Sequence, residues 1–210
     1  MEDYYGTSTR PAETTASYGL PPVPTSTKPA KRSIPLGPIL FVVIGLVIGF
    51  FAVGFLKGNA DPPTEEEVSA AFTPISGYTY LDVPDAQLQP MRDAIASEPD
   101  LEEGIAVFQA RQVQVGSQTV AAVIILGIDP DEFKGSYRED FLAGFRAGSG
   151  AEATPIKLGG EDAYSGEASG GHFIAFFDET DGLIFLVIGA TDPSVKSIAE
   201  QIHAGNASTS

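Results

Sequence analysis

The chain has 210 residues, no cysteine, no tryptophan and a formal net charge of −16 at pH 7. The lack of cysteine excludes a disulfide, a thiol nucleophile, a thiolate metal site and a lipid anchor on cysteine. The acidic excess argues against a nucleic-acid partner and against binding to an anionic lipid surface.

The first 33 residues are rich in Thr, Ser and Pro and contain almost no Leu, Ile or Phe. Such a segment buries too little apolar surface to offset the entropy of ordering, so we predict a disordered tail over residues 1–33. Pro21, Pro22 and Pro24 favour a short polyproline II stretch, and the many hydroxyls would suit a kinase. The tail is therefore either a phosphorylatable output segment or a solvated one whose last bases only set topology.

An uninterrupted apolar stretch runs from Ile34 to Leu56 and defines a predicted transmembrane helix over residues 34–57. About 20 apolar residues in a helix cross the hydrocarbon core of a bilayer. A cleaved signal peptide has a shorter apolar run close to the N-terminus, although Gly58-Asn59-Ala60 would pass as a cleavage site. A core helix would be polar on one side, and this one is apolar all round. The pattern favours a single-pass membrane anchor.

Basic residues next to this segment predict its direction. Lys28, Lys31 and Arg32 lie just before it, whereas acidic residues follow it. Because Lys and Arg are retained on the cytoplasmic side, the N-terminus should be cytoplasmic and the C-terminal part extracytoplasmic. Residues 61–210 hold seven bases and 25 acids, a net charge of −18. The sequence thus predicts an acidic extracytoplasmic domain whose anchor lies in the lipid bilayer of the cell membrane, and the bilayer is the first predicted partner of the protein.

Gly45 and Gly49 form one GxxxG pair inside the apolar segment. Small residues four apart let two helix backbones approach closely, which favours a homodimer or docking on another membrane helix. Glycine is also frequent in membrane helices generally, so association through this pair and its absence are both open.

The remainder of the chain divides into a polar linker over residues 58–68, a domain over residues 69–205 and a disordered C-terminus over residues 206–210. Six segments have the apolar character and the Gly-containing separators that are typical of strands joined by hairpins. They are Ile105–Val115, Thr119–Ile128, Thr154–Leu158, Asp162–Ala168, His172–Asp178 and Leu183–Gly189. We therefore predict an α+β fold in which an antiparallel sheet of about six strands packs with helices.

Two segments before these strands have modest helical character. They are Glu65–Phe72 and Ala86–Ile95, and Pro90 is expected to kink or shorten the second. Between them, residues 77–80 are turn-like to extended.

Two further helices follow strands and have clear start signals. Asp129 and Asp192 each precede a proline, which predicts an N-cap and then Pro at the first helical position. An aromatic stripe with a four-residue period follows Asp129, and its members are Phe133, Tyr137, Phe141 and Phe145. The last helix is expected to end near Gly205, a suitable C-cap.

Three strands, over residues 120–128, 173–177 and 183–189, are apolar on both faces instead of alternating. A strand of this kind lies at the centre of a sheet that is covered on both sides. Either the chain's own helices supply both covers, or one apolar face is left open for a partner.

The sequence contains no recognised catalytic motif, since HExxH, GxSxG, SxxK and GxxxxGK are all absent. His172 with Glu167 or Asp178 could be drawn as an acid–base pair, but no nucleophile lies near them in sequence. His203, in the last helical turn, suits the helix dipole. We therefore predict no catalytic residue and no enzymatic activity.

Two acidic groups would be the candidates for a metal site. Asp129, Asp131 and Glu132 are better explained as a helix start, and residues 178–181 as a hairpin turn. Neither has the register of a calcium loop, so no metal site and no cofactor are predicted. Asn206-Ala207-Ser208 matches the glycosylation acceptor pattern at chance level.

The layout resembles that of exported or membrane-tethered actinobacterial domains with LpqN/PsbP-like α+β folds. The resemblance covers most of residues 70–205 and lies in Gly77-Tyr78-Thr79-Tyr80, the hairpins, and Gly182-Leu183-Ile184-Phe185-Leu186-Val187 before the Asp192-Pro193 helix. It implies an α+β fold outside the membrane and names no functional residue.

Three hypotheses for function follow from these features. The leading one is a non-enzymatic accessory domain, tethered to the membrane, that binds a protein or a component of the cell envelope. The second is a transmembrane signalling subunit with the tail as its cytoplasmic output. The third is a hydrolase of cell-envelope sugars that uses two of the scattered carboxylates, which requires a close carboxylate pair in a deep cleft.

Overall fold

The computed structural model describes residues 60–97, 104–133, 137–149, 152–168 and 170–208. The described helices are α1 (Glu65–Ala70), α2 (Asp85–Ser97), α3 (Tyr137–Ser149) and α4 (Asp192–Ala207), with a 3₁₀ turn at Pro130–Phe133. The strands are β1 (Thr79–Asp82), β2 (Ile105–Val115), β3 (Gln118–Ile128), β4 (Thr154–Leu158), β5 (Glu161–Ala168), β6 (Gly171–Asp178) and β7 (Leu183–Gly189).

The predicted membrane segment at 34–57, with Gly45 and Gly49, and the flanking Lys28, Lys31 and Arg32 all lie outside the described residues. None of the helices in the described part of the chain has the length and apolar character that a membrane crossing requires.

The seven strands form one antiparallel sheet in the order β1-β2-β3-β7-β6-β5-β4. Two meanders, β1 to β3 and β4 to β7, meet where β3 pairs with β7, and Ile125 lies opposite Phe185 at this junction. The α+β class and the antiparallel sheet are thereby confirmed, and all six predicted strands are present. The predicted count was one short, because β1 has only four mostly exposed residues and gives no apolar alternation.

Both faces of the sheet are covered by the chain's own helices. Alternate residues of β3 point to opposite sides: Val123 and Ile125 belong to one core cluster, and Ile124 and Leu126 to the other. Helices α1 and α4 pack on the first face, and α2, the 3₁₀ turn and α3 pack on the second. Within the described ranges the exposed large apolar side chains are Leu81 and Val115, so the sheet keeps no open apolar face there.

The helix predicted after Asp129 starts later than expected. Asp129 does act as a cap, because its Oδ1 accepts a hydrogen bond of 2.8 Å from the Asp131 amide, but it caps only the 3₁₀ turn. The long helix α3 starts later, at Tyr137. Helix α2 keeps Pro90 within its 13 residues and extends past the predicted Ala86–Ile95 at both ends, so this proline does not shorten it.

The last helix is longer than predicted and overturns the role assigned to Gly205. Helix α4 runs to Ala207, so Gly205 lies inside it and is not the C-cap. A Cβ at Gly205 would come within 2.4 Å of Thr73 Oγ1. This position is therefore glycine because the segment around Thr73 packs closely against the helix. The predicted disordered C-terminus at 206–210 is wrong in its first residues, since Asn206 and Ala207 are helical.

The packed part of the chain also begins before residue 69. A capping box at Thr64 starts α1: its side chain accepts from the Glu67 amide, and the Glu67 carboxylate accepts from the Thr64 amide at 2.7 Å. Val68 is fully buried, and Pro63 is buried against Gly127. The residues that precede the domain are therefore held firmly at one end of β3.

Candidate functional site

A cleft of about 560 Å³ lies at one edge of the sheet. By edge we mean here the side of the sheet formed by the ends of its strands, where the β4–β5 turn and the β6–β7 turn both lie. The end of α4 and the start of α3 flank these turns. We call it the edge cleft. Among its lining residues are Arg138, Lys157, Asp162, Phe176, Glu179 and His203. Its size lies in the range of small-ligand sites.

Glycines and an Asp turn shape the two hairpins that border the edge cleft. Gly159 and Gly160 turn the chain from β4 to β5 with φ of 61° and 100°, which L side chains rarely adopt. In the β6–β7 turn, one Asp178 carboxylate oxygen accepts hydrogen bonds of 3.1 Å from the amides of Thr180 and Asp181. These separators were predicted as hairpin turns, and the structure confirms them.

Arg138 is the centre of a charged network in the wall of the edge cleft. Its Nη1 donates to Asp162 Oδ2 at 2.5 Å, its Nη2 to Glu179 Oε1 at 2.6 Å and its Nε to the Tyr137 hydroxyl at 2.7 Å. The Tyr137 hydroxyl in turn donates to Glu179, and Lys157 Nζ lies 2.7 Å from Asp162 Oδ1. All three guanidinium nitrogens therefore have acceptors, and the network joins α3 to β4, β5 and the β6–β7 turn.

The network fixes the protonation states of its members. Hydrogen bonds from Lys157 and Arg138 lower the pKa of Asp162. Burial by itself raises the pKa of Glu179, but hydrogen bonds from Tyr137 and Arg138 outweigh it, and the net pKa is lowered. Burial and the Glu179 carboxylate raise the pKa of Tyr137. Near neutral pH these two carboxylates are therefore ionised and the tyrosine is neutral, so the network holds fixed acceptors and donors.

His203 lies in the opposite wall of the edge cleft. Its Nε2 is 3.1 Å from Glu161 Oε2, and its ring makes an edge contact with Phe176 at 5.7 Å between centroids. The histidine side chain is only 12% exposed. A Cβ at Gly159 would lie 2.7 Å from the imidazole, so this glycine makes room for the ring as well as for the turn. The expectation that His203 serves the helix dipole missed this carboxylate partner.

A second, smaller cleft of about 400 Å³ lies on the other side of the β6–β7 turn. Asp61, Pro63, Glu67 and Asp181 are among the residues that line it. Burial, and then the neighbouring Asp178 and Glu67 carboxylates, raise the pKa of Asp181. No group of three or more His, Asp or Glu side chains in the described part of the chain is placed to hold a metal ion.

The acid–base pair that the sequence suggested, His172 with Glu167 or Asp178, forms only with Glu167 and lies far from either cleft. His172 Nδ1 lies 3.6 Å from Glu167 Oε1, at the edge of the sheet where β5 turns into β6. Asp178 is at the other end of β6 and does not meet His172. The Asn206 side chain donates to the carbonyls of Ala71 and Ile202, so this residue ties α4 to α1 within the fold.

Arg138, Tyr137 and Asp162 were not singled out by the sequence as site residues, and Glu179 was considered only within the acidic turn at residues 178–181, which was set aside as a metal site. Arg138 is 24 residues from Asp162 and 41 from Glu179, so no local motif connects them. A usable signal was present in composition: Arg138 is one of seven bases in residues 61–210, and it directly precedes two acids in the first turn of a helix.

Comparisons with protein-family models, curated proteins and solved structures gave no match to this chain.

Proposed function

We propose that this protein is a single-pass membrane-anchored binding domain, with residues 1–33 in the cytoplasm and the folded domain outside, and that its ligand binds in the edge cleft. The anchor and its direction are supported by the apolar segment at 34–57 and by Lys28, Lys31 and Arg32 before it. The ligand is a protein or a component of the cell envelope.

The observation that carries the binding role is the Arg138 network. Its two carboxylates are held in place and ionised before any ligand arrives, and both keep acceptor capacity, because each Asp162 oxygen accepts one bond of the network and Glu179 accepts both of its network bonds on Oε1. Groups that are fixed in advance cost less entropy to engage than mobile ones. The edge cleft is thus suited to a ligand that donates hydrogen bonds, such as an amine or a hydroxyl.

The same network favours binding over hydrolysis. A glycosidase needs one carboxylic acid that is protonated at its working pH, and a raised pKa provides it. In the edge cleft the pKa values of both Asp162 and Glu179 are lowered. The signalling alternative depends on residues 1–33, which lie outside the described residues.

The test places a photo-activated crosslinker on single cysteines in the full-length chain, which has no cysteine of its own. Thr180→Cys puts the probe in the rim of the edge cleft, and Ser117→Cys puts it on an exposed turn at the opposite edge. We expect Thr180→Cys to capture a defined partner in cells and Ser117→Cys to miss it.

Capture should then be lost when the network is dismantled by Arg138→Gln and kept with Arg146→Gln. Arg146 lies on the same helix, but it is 68% exposed and has a single carboxylate 3.6 Å away. Equal capture from both probe positions, or equal loss with both arginine variants, would remove the edge cleft from the proposal. Protease added to intact cells should digest residues 61–210, because the proposal places them outside the membrane. Full protection would contradict the proposed topology.

A further inference from the structure

The chain enters the folded domain at the same edge of the sheet that carries both clefts. Pro63 packs on Gly127, where a Cβ would lie 2.7 Å from the proline Cγ. Gly127 is next to the end of β3, whose last residue, Ile128, donates its amide to the Gly182 carbonyl at 2.9 Å. Asp61 and Pro63 also line the second cleft together with Asp181. The first described residues are thus fixed beside the β6–β7 turn.

The connection from the predicted anchor to this point is short. The anchor ends at residue 57, and the backbone from there to Pro63 extends at most about 20 Å. Strand β3 has 11 residues and is about 34 Å long, and it begins at the opposite edge, directly after the turn at residues 116–117. A domain held this way can bring the cleft edge close to the bilayer more easily than the opposite edge.

The cleft edge, where the chain enters the domain, also carries many exposed acidic side chains. Exposed carboxylates of this edge are Asp61, Glu67, Glu161, Asp162, Glu179 and Asp181. The bases that line the edge cleft are Arg138 and Lys157, and both already contact Asp162. A surface with this excess is repelled by anionic headgroups over about a Debye length and is not repelled by zwitterionic ones.

We propose that the edge of the sheet with both clefts faces the membrane, and that its approach is set by headgroup charge: it lies against a zwitterionic bilayer surface and is held away from an anionic one. The inference rests on the proposed membrane anchor. It gives the edge cleft access to ligands at the membrane surface, and it leaves the 116–117 turn pointing away.

The experiment uses the full-length chain reconstituted into phosphatidylcholine vesicles that contain an acceptor dye on a lipid headgroup. A donor dye is attached to Thr180→Cys in one sample and to Ser117→Cys in the other; both side chains are exposed in turns, so both variants should fold. We expect energy transfer to be clearly larger from position 180 than from position 117. Equal transfer, or larger transfer from 117, would overturn the orientation.

Vesicles of phosphatidylglycerol with the same acceptor test the role of charge. At low salt, transfer from position 180 should fall towards that from position 117, and high salt should restore it by screening. Transfer from position 180 that is the same on both lipids at low salt would overturn the electrostatic part. Flotation of the vesicles is scored first: a chain that fails to float with them would contradict the anchor itself, which is a different result from a wrong orientation.

Discussion

The two helical covers of the sheet differ in composition and in what they position. Helices α1 and α4 bury mainly aliphatic side chains, among them Val68, Ile198 and Ile202. The cover on the other face is rich in aromatic rings: Phe133 and Tyr137 make an edge contact at 4.9 Å, and both make edge contacts with Phe177 of β6 at 5.6–6.1 Å. An aliphatic side chain contributes only burial, whereas a tyrosine at the rim of an aromatic cluster also presents a hydroxyl to polar groups.

This difference indicates how the edge cleft is built. Tyr137 is 8% exposed, so its ring is fixed by the aromatic cover while its hydroxyl reaches Glu179 and Arg138. The aliphatic cover secures α4 against the sheet, and His203 is carried into the other wall of the cleft by that helix. One cover therefore mainly supplies stability, and the other orients the charged groups.

The largest effect is expected from Ile198→Ala in the aliphatic cover. Ile198 is fully buried in α4, and its truncation removes buried methyl groups and leaves a cavity. The free energy of unfolding should fall by about 2–5 kcal/mol, measured by urea denaturation. The matched control is Lys196→Ala on the exposed side of the same helix, which should change it little. Equal losses in the two variants would contradict the assigned packing of α4.

The next effect concerns the contact between α4 and the segment after α1. In a free helix Gly→Ala stabilises by roughly 1 kcal/mol. At Gly205 we expect the opposite sign, a loss of about 1–3 kcal/mol, because the new Cβ would meet the Cβ of Thr73 at 2.7 Å. Thr73→Gly combined with Gly205→Ala should recover stability relative to Gly205→Ala alone. A stabilising Gly205→Ala would show that the two segments do not pack this closely.

Tyr137→Phe separates the two roles of the aromatic cover, because it keeps the ring and removes the hydroxyl. We expect a loss of only about 1 kcal/mol, since Glu179 is half exposed and keeps its bond to Arg138. The pKa of Glu179 should rise, because one of the hydrogen bonds that lower it is gone. Carboxyl chemical shifts followed by NMR against pH measure this. An unchanged pKa would mean that the hydroxyl does not serve the network.

The parts of the fold that the sequence predicted are those in which neighbouring residues carry the signal. Strands β3, β6 and β7 are apolar on both faces, and that pattern correctly indicated a sheet covered twice. Strand β1 was missed because its four residues show no apolar pattern, and it is stabilised by pairing with residues 111–114 of β2 and by the packing of Tyr80 against Phe72. Gly205 was misread for a similar reason: a glycine near a helix end suits a cap, and only the position of Thr73 shows otherwise.

The candidate site was harder to predict, because its contacts join residues that are distant in sequence. Asp162 looked like an ordinary residue at the start of a strand, and Glu179 like part of a turn. The β4–β7 meander places the β4–β5 and β6–β7 turns at one edge, because alternate turns of a meander lie on the same side. Arg138 reaches both turns only because α3 packs across the sheet beside them, and no local pattern in the sequence states that position.

Acid should weaken the fold through the same network. The folded pKa values of Glu179 and Asp162 lie below their ordinary values of 4.5 and 3.8, so the unfolded chain takes up protons first as the pH falls. The stabilisation is therefore complete above those ordinary values and is lost as the pH falls through the folded ones. Denaturation midpoints between pH 7 and pH 3 should decrease on the acid side, and the decrease should be shallower in Arg138→Gln than in Arg146→Gln.

Asp181 provides a control of opposite sign for this titration. Its folded pKa is raised above 3.8, so its charged form opposes folding above that pKa and the penalty is relieved as the pH falls. Asp181→Asn should therefore stabilise the protein at neutral pH and steepen the relative loss in acid. A neutral-pH stability below that of the unchanged chain would contradict the direction given for Asp181.

The smallest effect is expected at Asp82, the ion-pair partner of Arg111, and Arg111 itself contrasts with Arg138. The guanidinium group of Arg111 stacks on the Phe72 ring, with its central carbon 4.4 Å from the ring centre. Its ion pair with Asp82 is long, at 3.5 Å. Asp82 is 93% exposed, so Asp82→Asn should change the free energy of unfolding by less than about 0.5 kcal/mol. Arg111→Ala should cost more, about 1 kcal/mol, because the stacking is lost. Equal effects of the two changes would mean that Arg111 acts through its charge pair, as Arg138 does, and the contrast between the two arginines would fail.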